Sequence, residues 1–331
     1  MSRVLLCTRG NAPELPTLID ALRDRGAEPV VLDSAAFPTD ARLSLSYDRT
    51  GFRCSGLRGD DRAHDDLSAV WHSLVVGTAL PAMEPGSRET CVAASELAMI
   101  GLIESLQVFQ LDPAWSKQRA DNKPYQLALA QRVGLAIPQT LISNDPDAVR
   151  AFAAQNGPVI MKMLVQPAST GPSSDETEVV FTTALTDDDL AALDGLDLCP
   201  MIFQAQVEHQ RDVRVTVVGR RVFGAALDRA ARGGDDPDWR RQSYALDRAP
   251  RWTPYELPAG LAEPLLRLLD HVGLNYGAVD LLVRPDGTHV FLELNASGSF
   301  AFLGPAIATP IAAAIAEVLV DPAARRVPSH V

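Results

Sequence analysis

The stretch GAVDLLVRPDGTHVFLELN, residues 277–295, consists of two β-rich runs on either side of a Pro-Asp-Gly sequence. This pattern predicts a β-hairpin. With the Asp-Gly pair as a two-residue turn, Asp280 lies directly opposite Glu293. Asn295, two residues after Glu293, emerges on the same face and lies diagonal to Asp280. The hairpin therefore predicts three oxygen-bearing side chains that converge on one point.

Two carboxylates on neighbouring strands repel each other unless a cation lies between them. Mg²⁺ binds carboxylate and amide oxygens and leaves coordination positions for phosphate. A solvated face on an edge hairpin is the alternative, but the surrounding residues are apolar and indicate a buried hairpin: Leu281, Leu282, Phe291, Leu292 and Leu294. Unpaired carboxylates are costly in such surroundings. Asp280, Glu293 and Asn295 are therefore predicted to bind Mg²⁺.

Composition limits the class of protein. A chain of 331 residues with 47% hydrophobic and 22% charged residues predicts a globular protein of two or three compact units. A net charge of -12 argues against a general nucleic-acid binder. The four cysteines are far apart, without a CxxC or Cys/His pattern, so neither a zinc site nor a disulfide framework is predicted. Without a signal-like or membrane-spanning apolar run, a cytoplasmic protein that does not bind membranes is expected.

Strand-like and helix-like patterns alternate along the first part of the chain. Residues 4–8 (VLLCT) and the later PVVLD run are strand-like and flank an amphipathic stretch at 13–25, which predicts a parallel α/β unit. Residues 69–73 (AVWHS) predict a further buried strand, and 88–106 a helix. Shorter strands and helices follow, which is typical of α+β units. The predicted domains are 1–112, 113–207 and 208–331.

Two isolated charged residues on predicted strands are further candidates for the site. Lys162 interrupts the apolar strand VIMKM, where a lysine must either extend to solvent or meet an anion such as phosphate. Arg214 shares a strand face with Asp212. It either grips phosphoryl oxygens or forms a simple pair with that acid.

Two loops leave alternatives open. The loop at 235–241, with Arg240 beside Trp239, is either part of a site or a surface turn. The loop at 166–178 is a candidate for covering phosphates through its backbone N–H groups. Neither a Walker A sequence nor GxGxxG is present, so the P-loop and Rossmann dinucleotide folds are unsupported.

The order of these features resembles the ATP-grasp superfamily: a lysine, a strand lysine, an FQ-containing hinge, Asp-x-Arg, Asp and Glu-x-Asn. The segments RADNKPYQLALAQRVGL, CPMIFQAQV, RVTVVGRRVF, DWRRQ and VFLELNASG are similar to microviridin-type (graspetide) peptide maturases, and the resemblance extends along nearly the whole chain. It implies an α/β ATP-grasp fold, with an N-terminal parallel α/β domain and two α+β subdomains that enclose the nucleotide. It also implies an ADP-forming ligase with an acyl-phosphate intermediate.

The resemblance gives each candidate residue a role. ATP is held by Lys123 and Lys162 at the phosphates, by Gln204, Gln206 and Val207 in the adenine hinge, and by Asp212 at the ribose. Arg214 and Arg240 match arginines near the transferred phosphate and the acyl phosphate, and Asp280, Glu293 and Asn295 match the Mg²⁺ ligands.

The sequence also departs from the family pattern. Ala205 replaces the usual hinge glutamate, His72 and Ser73 stand in place of a WYRR-like run, and NASGSF follows the metal ligands instead of the usual Asn-Pro start. These departures concern adenine and substrate contacts. The phosphate and metal residues are retained.

The implied activity is phosphorylation of Asp or Glu side chains in a ribosomal precursor peptide, followed by closure of ester or amide cross-links. An ATP-grasp carboxylate–amine ligase acting on a small molecule or a peptide terminus is the alternative. A nucleotide-binding regulator without chemistry is disfavoured by the intact lysines and metal ligands. The implied partners are the leader and core of the peptide and a second copy of the chain in a homodimer. The acids at 187–189 either contact a basic leader or, as we favour, belong to a helix N-terminus.

Overall fold

The computed structural model describes residues 2–49, 51–55, 66–165, 181–232 and 251–327. The helices in these residues are α1 (Leu15–Asp24), α2 (Pro85–Ser105), α3 (Ala114–Ala120), α4 (Lys123–Arg132), α5 (Pro146–Asn156), α6 (Asp187–Ala191), α7 (Ala262–Val272) and α8 (Pro305–Val320). The strands up to the middle of the chain are β1 (Arg3–Thr8), β2 (Glu28–Asp33), β3 (Ser44–Asp48), β4 (Gly51–Ser55), β5 (Leu67–Ser73), β6 (Phe109–Leu111), β7 (Thr140–Ser143), β8 (Val159–Met163) and β9 (Thr183–Ala184). The later strands are β10 (Met201–Ala205), β11 (Arg211–Val218), β12 (Arg221–Asp228), β13 (Thr253–Tyr255), β14 (Tyr276–Val283) and β15 (His289–Asn295).

The N-terminal part of the chain forms a parallel sheet with strand order β2-β1-β5-β6. Side chains alternate across it, since successive residues of a strand point to opposite faces. Val4 and Leu6 pack towards α1 and α8, while Leu5 and Cys7 pack towards α2. The sheet is therefore buried on both faces, and the predicted parallel α/β unit is confirmed.

Helix α8 has no counterpart among the elements predicted from the sequence. Nine of its 16 residues are buried, so it lacks the polar face that marks an amphipathic helix. It packs against α1 and shares a hydrophobic core with β1 and β5. The last helix of the chain thus completes the core of the first sheet.

Two antiparallel sheets form the rest of the fold. The first has the strand order β7-β10-β8-β9 and packs on α5, and the second has the order β13-β12-β11-β14-β15 and packs on α4 and α7. In β11, Val213, Val215 and Val217 lie in the core beneath the second sheet. Asp212 and Arg214 alternate with them and face the opposite side, towards the first antiparallel sheet. A parallel sheet with helices on both faces, followed by two antiparallel sheets that each pack on helices, agrees with the predicted α/β fold with α+β parts.

Asp112 joins the parallel sheet to the C-terminal sheet. Its buried carboxylate accepts the backbone N–H groups of Asn275 and Tyr276 at 2.9 and 2.8 Å. Its carbonyl accepts Nε2–H of His72 at 2.7 Å, and the ammonium of Lys117 donates to the carbonyl of His72 at 2.6 Å. Burial raises the pKa of Asp112 to about 6 and lowers the pKa of Lys117 to about 8.

We expect Asp112→Ala to lower the free energy of unfolding by about 2–6 kcal/mol, since it leaves two buried N–H groups without their acceptor at roughly 1–3 kcal/mol each. Chemical denaturation followed by circular dichroism measures the change. Asp40→Ala, at an exposed position of the same domain, is the control and should alter stability by less than about 0.5 kcal/mol. Equal midpoints for the two variants would contradict this role of Asp112.

No helix in the described ranges combines the length and the apolar character needed to cross a bilayer.

Candidate active site

A cleft of about 920 Å³ lies between the two antiparallel sheets. Each candidate residue that falls in the described part of the chain lines it: Lys123, Lys162, Gln204, Gln206, Val207, Asp212, Arg214, Asp280, Glu293 and Asn295. They come from α4, β8, β10, β11, β14, β15 and the segment after β10. Two predicted parts of the site, Arg240 and the loop at 166–178, lie outside the described residues.

The hairpin that carries the two carboxylates has a different turn from the predicted one. The N–H of Arg284 donates to the carbonyl of Thr288 at 2.9 Å, so the turn contains three residues, 285–287, and the predicted two-residue turn is wrong. Gly287 adopts a φ of +84°, which favours glycine. Beyond the turn, Leu281 pairs with Phe291, whereas Asp280 pairs with Glu293. The register shifts by one residue between these pairs.

The shift is a β-bulge in which Leu292 is the additional residue on β15. In a regular strand Phe291 and Glu293 would point to the same face. With the bulge, Phe291 is fully buried in the core while Leu292 and Glu293 both line the cleft. The bulge therefore directs the carboxylate of Glu293 into the cleft and restores its pairing with Asp280.

A row of alternating charges crosses three neighbouring strands. Asp280 on β14 pairs in register with Arg214 on β11 and, on its other side, with Glu293 on β15. Nη1 of Arg214 donates to both carboxylate oxygens of Asp280 at 2.8 Å, and the ammonium of Lys123 donates to Glu293 at 2.5 Å. Arg214 therefore holds Asp280, and the alternative of a simple pair with Asp212 is not formed.

Asn295 completes this group. Its amide nitrogen lies 2.9 Å from Asp280 and 3.3 Å from Glu293, so the three side chains converge. Rotating the side-chain amide of Asn295 by 180° exchanges its nitrogen and oxygen and directs the oxygen towards the same point. The described residues contain no cluster of three or more His, Cys, Asp or Glu side chains suited to a metal ion. Two carboxylates and one amide match the oxygen ligands of Mg²⁺, which leaves its other positions to phosphate and water.

Lys123 and Lys162 keep the carboxylate of Glu293 ionised. Burial by itself would raise the pKa of Glu293, but Lys123 and Lys162 bring it down to about 2. For Arg214, burial acts to lower the pKa, and the carboxylate of Asp280 outweighs burial and raises it. At neutral pH the site therefore contains fixed charges of both signs within one partly desolvated cleft.

The hinge after β10 offers backbone groups to the cleft. The N–H groups of Ala205 and Gln206 donate to the carbonyls of Gln139 and Pro158 at 2.9 and 2.8 Å, which fixes the path of the chain. The N–H of Val207 has no acceptor among the described residues. Nearby, Nδ1–H of His209 donates to the carbonyl of Val207, and its Nε2 lies 3.8 Å from Asp212.

Gln126 supports β15, which carries Glu293 and Asn295, and was not identified from the sequence. Its buried amide accepts the N–H of Leu294 at 2.9 Å and donates to the carbonyl of the same residue at 2.7 Å. It thereby pairs with the backbone between Glu293 and Asn295. A glutamine within a helix gives no sequence signal for such a role.

The scarcity of lysine is a sequence signal of the site that lies outside the motifs described above. The chain has 30 Lys and Arg residues, of which three are lysines. Lys123 and Lys162 line the cleft, and Lys117 lines a smaller neighbouring cavity. Because arginine serves as the cation elsewhere, each lysine in this sequence marks the site region.

Comparison with known proteins agrees with this geometry. The MvdD pre-ATP grasp domain matches residues 3–118, and the RimK-like ATP-grasp domain matches residues 120–319. A curated relative, a probable alpha-L-glutamate ligase of Pectobacterium carotovorum subsp. carotovorum (strain PC1), is 27% identical over 203 residues. That match covers 60% of this chain and 63% of the relative, which is less than two thirds of its length.

Solved structures match along nearly the whole chain. Macrocyclase MdnC bound with precursor peptide MdnA, from Microcystis aeruginosa MRC, is 35% identical with a TM-score of 0.82, covering 96% of this chain and 99% of that one. The Chryseobacterium gregarium RiPP-associated ATP-grasp ligase, in complex with ADP and a leader and core peptide, is 27% identical with a TM-score of 0.85 and full coverage of both chains. PsnB complexed with minimal precursor, Mg and ADP is 27% identical with a TM-score of 0.70, covering 94% and 96%.

These matches confirm the resemblance to the microviridin-type ATP-grasp maturases, and the expected ligase class and ATP/Mg²⁺ cofactors agree with them. The RimK-like domain spans more than half of the sequence. This chain belongs to the RimK-like ATP-grasp family.

Proposed function

We propose that this chain is an ATP- and Mg²⁺-dependent ligase that phosphorylates Asp or Glu side chains of a ribosomal precursor peptide and closes ester or amide rings within it. The observation that carries the proposal is the charged row of Arg214, Asp280 and Glu293, flanked by two lysines, in one cleft. Its support from relatives is the likeness to MdnC and to the Chryseobacterium ligase, both solved with peptides.

The cleft would hold ATP along its length. Lys123 and Lys162 supply positive charge for the phosphates, and Asp212 supplies acceptors for the ribose hydroxyls. Val207 would donate its N–H to the acceptor edge of adenine, which does not require the glutamate that Ala205 replaces. Both antiparallel sheets contribute to the cleft. We propose that the chain divides into domains at residues 112 and 207, and the two-sided cleft supports the second of these boundaries.

Asp280, Glu293 and Asn295 would hold Mg²⁺, which supplies neutralising charge for phosphate oxygens. Arg214 orients the carboxylate of Asp280. It also donates to the carbonyl of Ser299 at 3.3 Å, which fixes the loop next to the site. These fixed groups need no rearrangement as charge develops during phosphoryl transfer.

The reaction has two steps. A substrate carboxylate takes the γ-phosphoryl group of ATP, and a hydroxyl or amine of the same peptide then displaces phosphate from the acyl phosphate. The chain's own residues act by positioning and charge neutralisation, with Arg214 and, by resemblance, Arg240 near the phosphoryl oxygens. No protein nucleophile is required.

The direct test is incubation of the purified chain with ATP, Mg²⁺ and a candidate precursor peptide rich in Thr or Ser and in Asp or Glu. The peptide should lose the mass of one water per ring while ADP forms stoichiometrically. Omission of ATP or chelation of Mg²⁺ should prevent both changes. ADP formation with free amino acids or amines, but not with peptides, would contradict the proposal.

That contrary outcome would favour a carboxylate–amine ligase acting on a small molecule or a peptide terminus. The match to a probable alpha-L-glutamate ligase is the observation in its favour.

We expect Lys162→Met to raise the KM for ATP roughly 10- to 150-fold, which corresponds to the loss of one charged hydrogen bond of about 1.5–3 kcal/mol. Steady-state ADP formation at varied ATP concentration measures it. Arg132→Met removes an exposed cation at the end of α4 and should leave the KM unchanged. A KM for ATP that is the same in both variants would exclude a phosphate contact of Lys162.

The remaining parts of the proposal concern partners and location. A leader segment and a core segment of the peptide are the expected partners, in a homodimer that functions in the cytoplasm. Thr186 and Asp189 form a capping box at the start of α6, which accounts for Asp189 structurally and supports our preference against a leader contact there. Light scattering of the purified chain tests the dimer.

A further inference from the structure

A second cavity, of about 280 Å³, opens at the carboxyl ends of β1 and β5. The sheet order β2-β1-β5-β6 places the neighbours of β1 on opposite sides, so the chain changes direction between β1 and β5. Crevices at such points are the usual ligand sites of parallel α/β sheets. Ser73, at the end of β5, and Arg9 and Val75, which follow the two strands, line the cavity. We refer to this cavity as the switch-point crevice.

The switch-point crevice shares a wall with the nucleotide cleft. The loop at 296–299 lines both cavities. Arg214 donates to the carbonyl of Ser299 at 3.3 Å while it grips Asp280. A Cβ at Gly298 would collide with the guanidinium of Arg214, so this wall lies directly on the charged row. A group in the crevice is therefore adjacent to the proposed site of phosphoryl transfer.

Glu14 is the buried acid of the crevice. It is 8% exposed and precedes α1, whose positive N-terminal end helps to accommodate a carboxylate. The hydroxyl of Ser299 donates to it. An ionised carboxylate has about four acceptor sites, and within the described residues its side chain has this one donor. The crevice thus has unused acceptor capacity, which suits a ligand that donates hydrogen bonds.

The other buried charge of the crevice is already engaged. The ammonium of Lys117 donates to the carbonyl of His72 and is attracted by Asp112 and Asp121. It therefore does not neutralise Glu14 through a direct ion pair. An alcohol or a primary amine, rather than a second carboxylate, is the chemical group that complements Glu14.

We propose that the switch-point crevice binds the attacking side chain of the peptide, an alcohol or amine, and that Glu14 is the general base of ring closure. This inference rests on the proposed function. The oxygen or nitrogen of the acceptor forms a bond to the acyl carbon as its proton passes to a carboxylate oxygen of Glu14. The bond from the acyl carbon to the phosphate oxygen breaks, and phosphate leaves with the electron pair. Glu14 then releases the proton to water.

The experiment separates activation of the carboxylate from ring closure. One peptide is the unmodified precursor, and the other has every Ser, Thr and Lys of its core replaced by Ala, so that no ring can form. Hydroxylamine traps the acyl phosphate of the second peptide as a hydroxamate without help from a protein base. Glu14→Gln should slow ring closure at least about 100-fold, within the range for a lost general base. It should change the rate of hydroxamate formation less than about threefold.

Three controls accompany this variant. Glu89→Gln removes an exposed acid from α2 and should leave both rates unchanged. Ser299→Ala removes the hydroxyl partner but keeps the carboxylate, so ring closure should fall less than about tenfold. Thermal unfolding of Glu14→Gln checks that the fold persists.

The outcomes test the role of Glu14 separately from the proposed ligase function. Equal losses of hydroxamate formation and ring closure in Glu14→Gln would overturn the assignment, and so would ring closure at the unaltered rate. If the unaltered chain forms neither hydroxamate nor rings with any peptide, the proposed function itself fails.

Discussion

Replacing Asp280 with Asn and Glu293 with Gln together should lower peptide-dependent ADP formation by about 10⁴-fold. The two carboxylates provide the negative charge that would hold Mg²⁺ against the nucleotide, and the loss of such charge stabilisation amounts to several kcal/mol. At about 1.4 kcal/mol for each factor of ten, this gives the stated decrease. Stopped time courses of ADP formation measure it, and a Mg²⁺ titration should require a far higher concentration for any residual activity.

The same hairpin supplies a matched control. Asp286 lies at the exposed turn, where its carboxylate accepts the N–H of Thr288 at 2.9 Å, and Asn retains that acceptor. Asp286→Asn should therefore keep full activity and the ordinary Mg²⁺ dependence. Nucleotide affinity and turnover that survive in the double variant would remove the basis of the metal assignment.

Arg214→Met should have the second large effect, on both activity and stability. Arg214 is 7% exposed, and its guanidinium donates to both oxygens of Asp280, so its removal takes away the arginine partner of this carboxylate. Breaking a buried pair in this way costs about 3–5 kcal/mol of stability. We expect kcat to fall by roughly 10²- to 10³-fold, as when one preorganised charge-stabilising donor is lost.

A double-mutant cycle separates the two effects. Arg214→Met combined with Asp280→Asn removes both charges, so the free energy of unfolding should recover part of the loss while activity stays low. Arg211→Met, on the same strand, removes an arginine that is 43% exposed and should change stability by less than about 1 kcal/mol. Unfolding midpoints that are equal for the Arg214 and Arg211 variants would contradict the structural role of Arg214.

The acidic hairpin shows which part of the site could be predicted from the sequence and which part could not. Alternation and a turn signal were sufficient to bring Asp280 and Glu293 together. The three-residue turn shifts the register by one residue, and the bulge at Leu292 shifts it back. The two register shifts therefore cancel, and local patterns reveal neither of them. Phe291 packs in the core on one side of the bulge, and Glu293 lines the cleft on the other.

Three other features, helix α8 and the contacts of Glu14 and Gln126, could not be predicted from sequence patterns. Helix α8 is buried on most sides, so its apolar residues show no amphipathic period. The role proposed for Glu14 depends on contact with Ser299, which is 285 residues away in the chain. Gln126 acts through the backbone of a strand 168 residues later. Long-range contacts of single polar side chains leave no local periodicity.

The placement of the lysines has a practical consequence. Reagents that acylate or reductively methylate amines will find side-chain targets in this protein only at Lys117, Lys123 and Lys162, all of which line the two cavities. Chemical labelling followed by peptide mass mapping thus becomes a footprint of ligand occupancy. An electrophile attached to a nucleotide would be directed to the same amines as a covalent inhibitor.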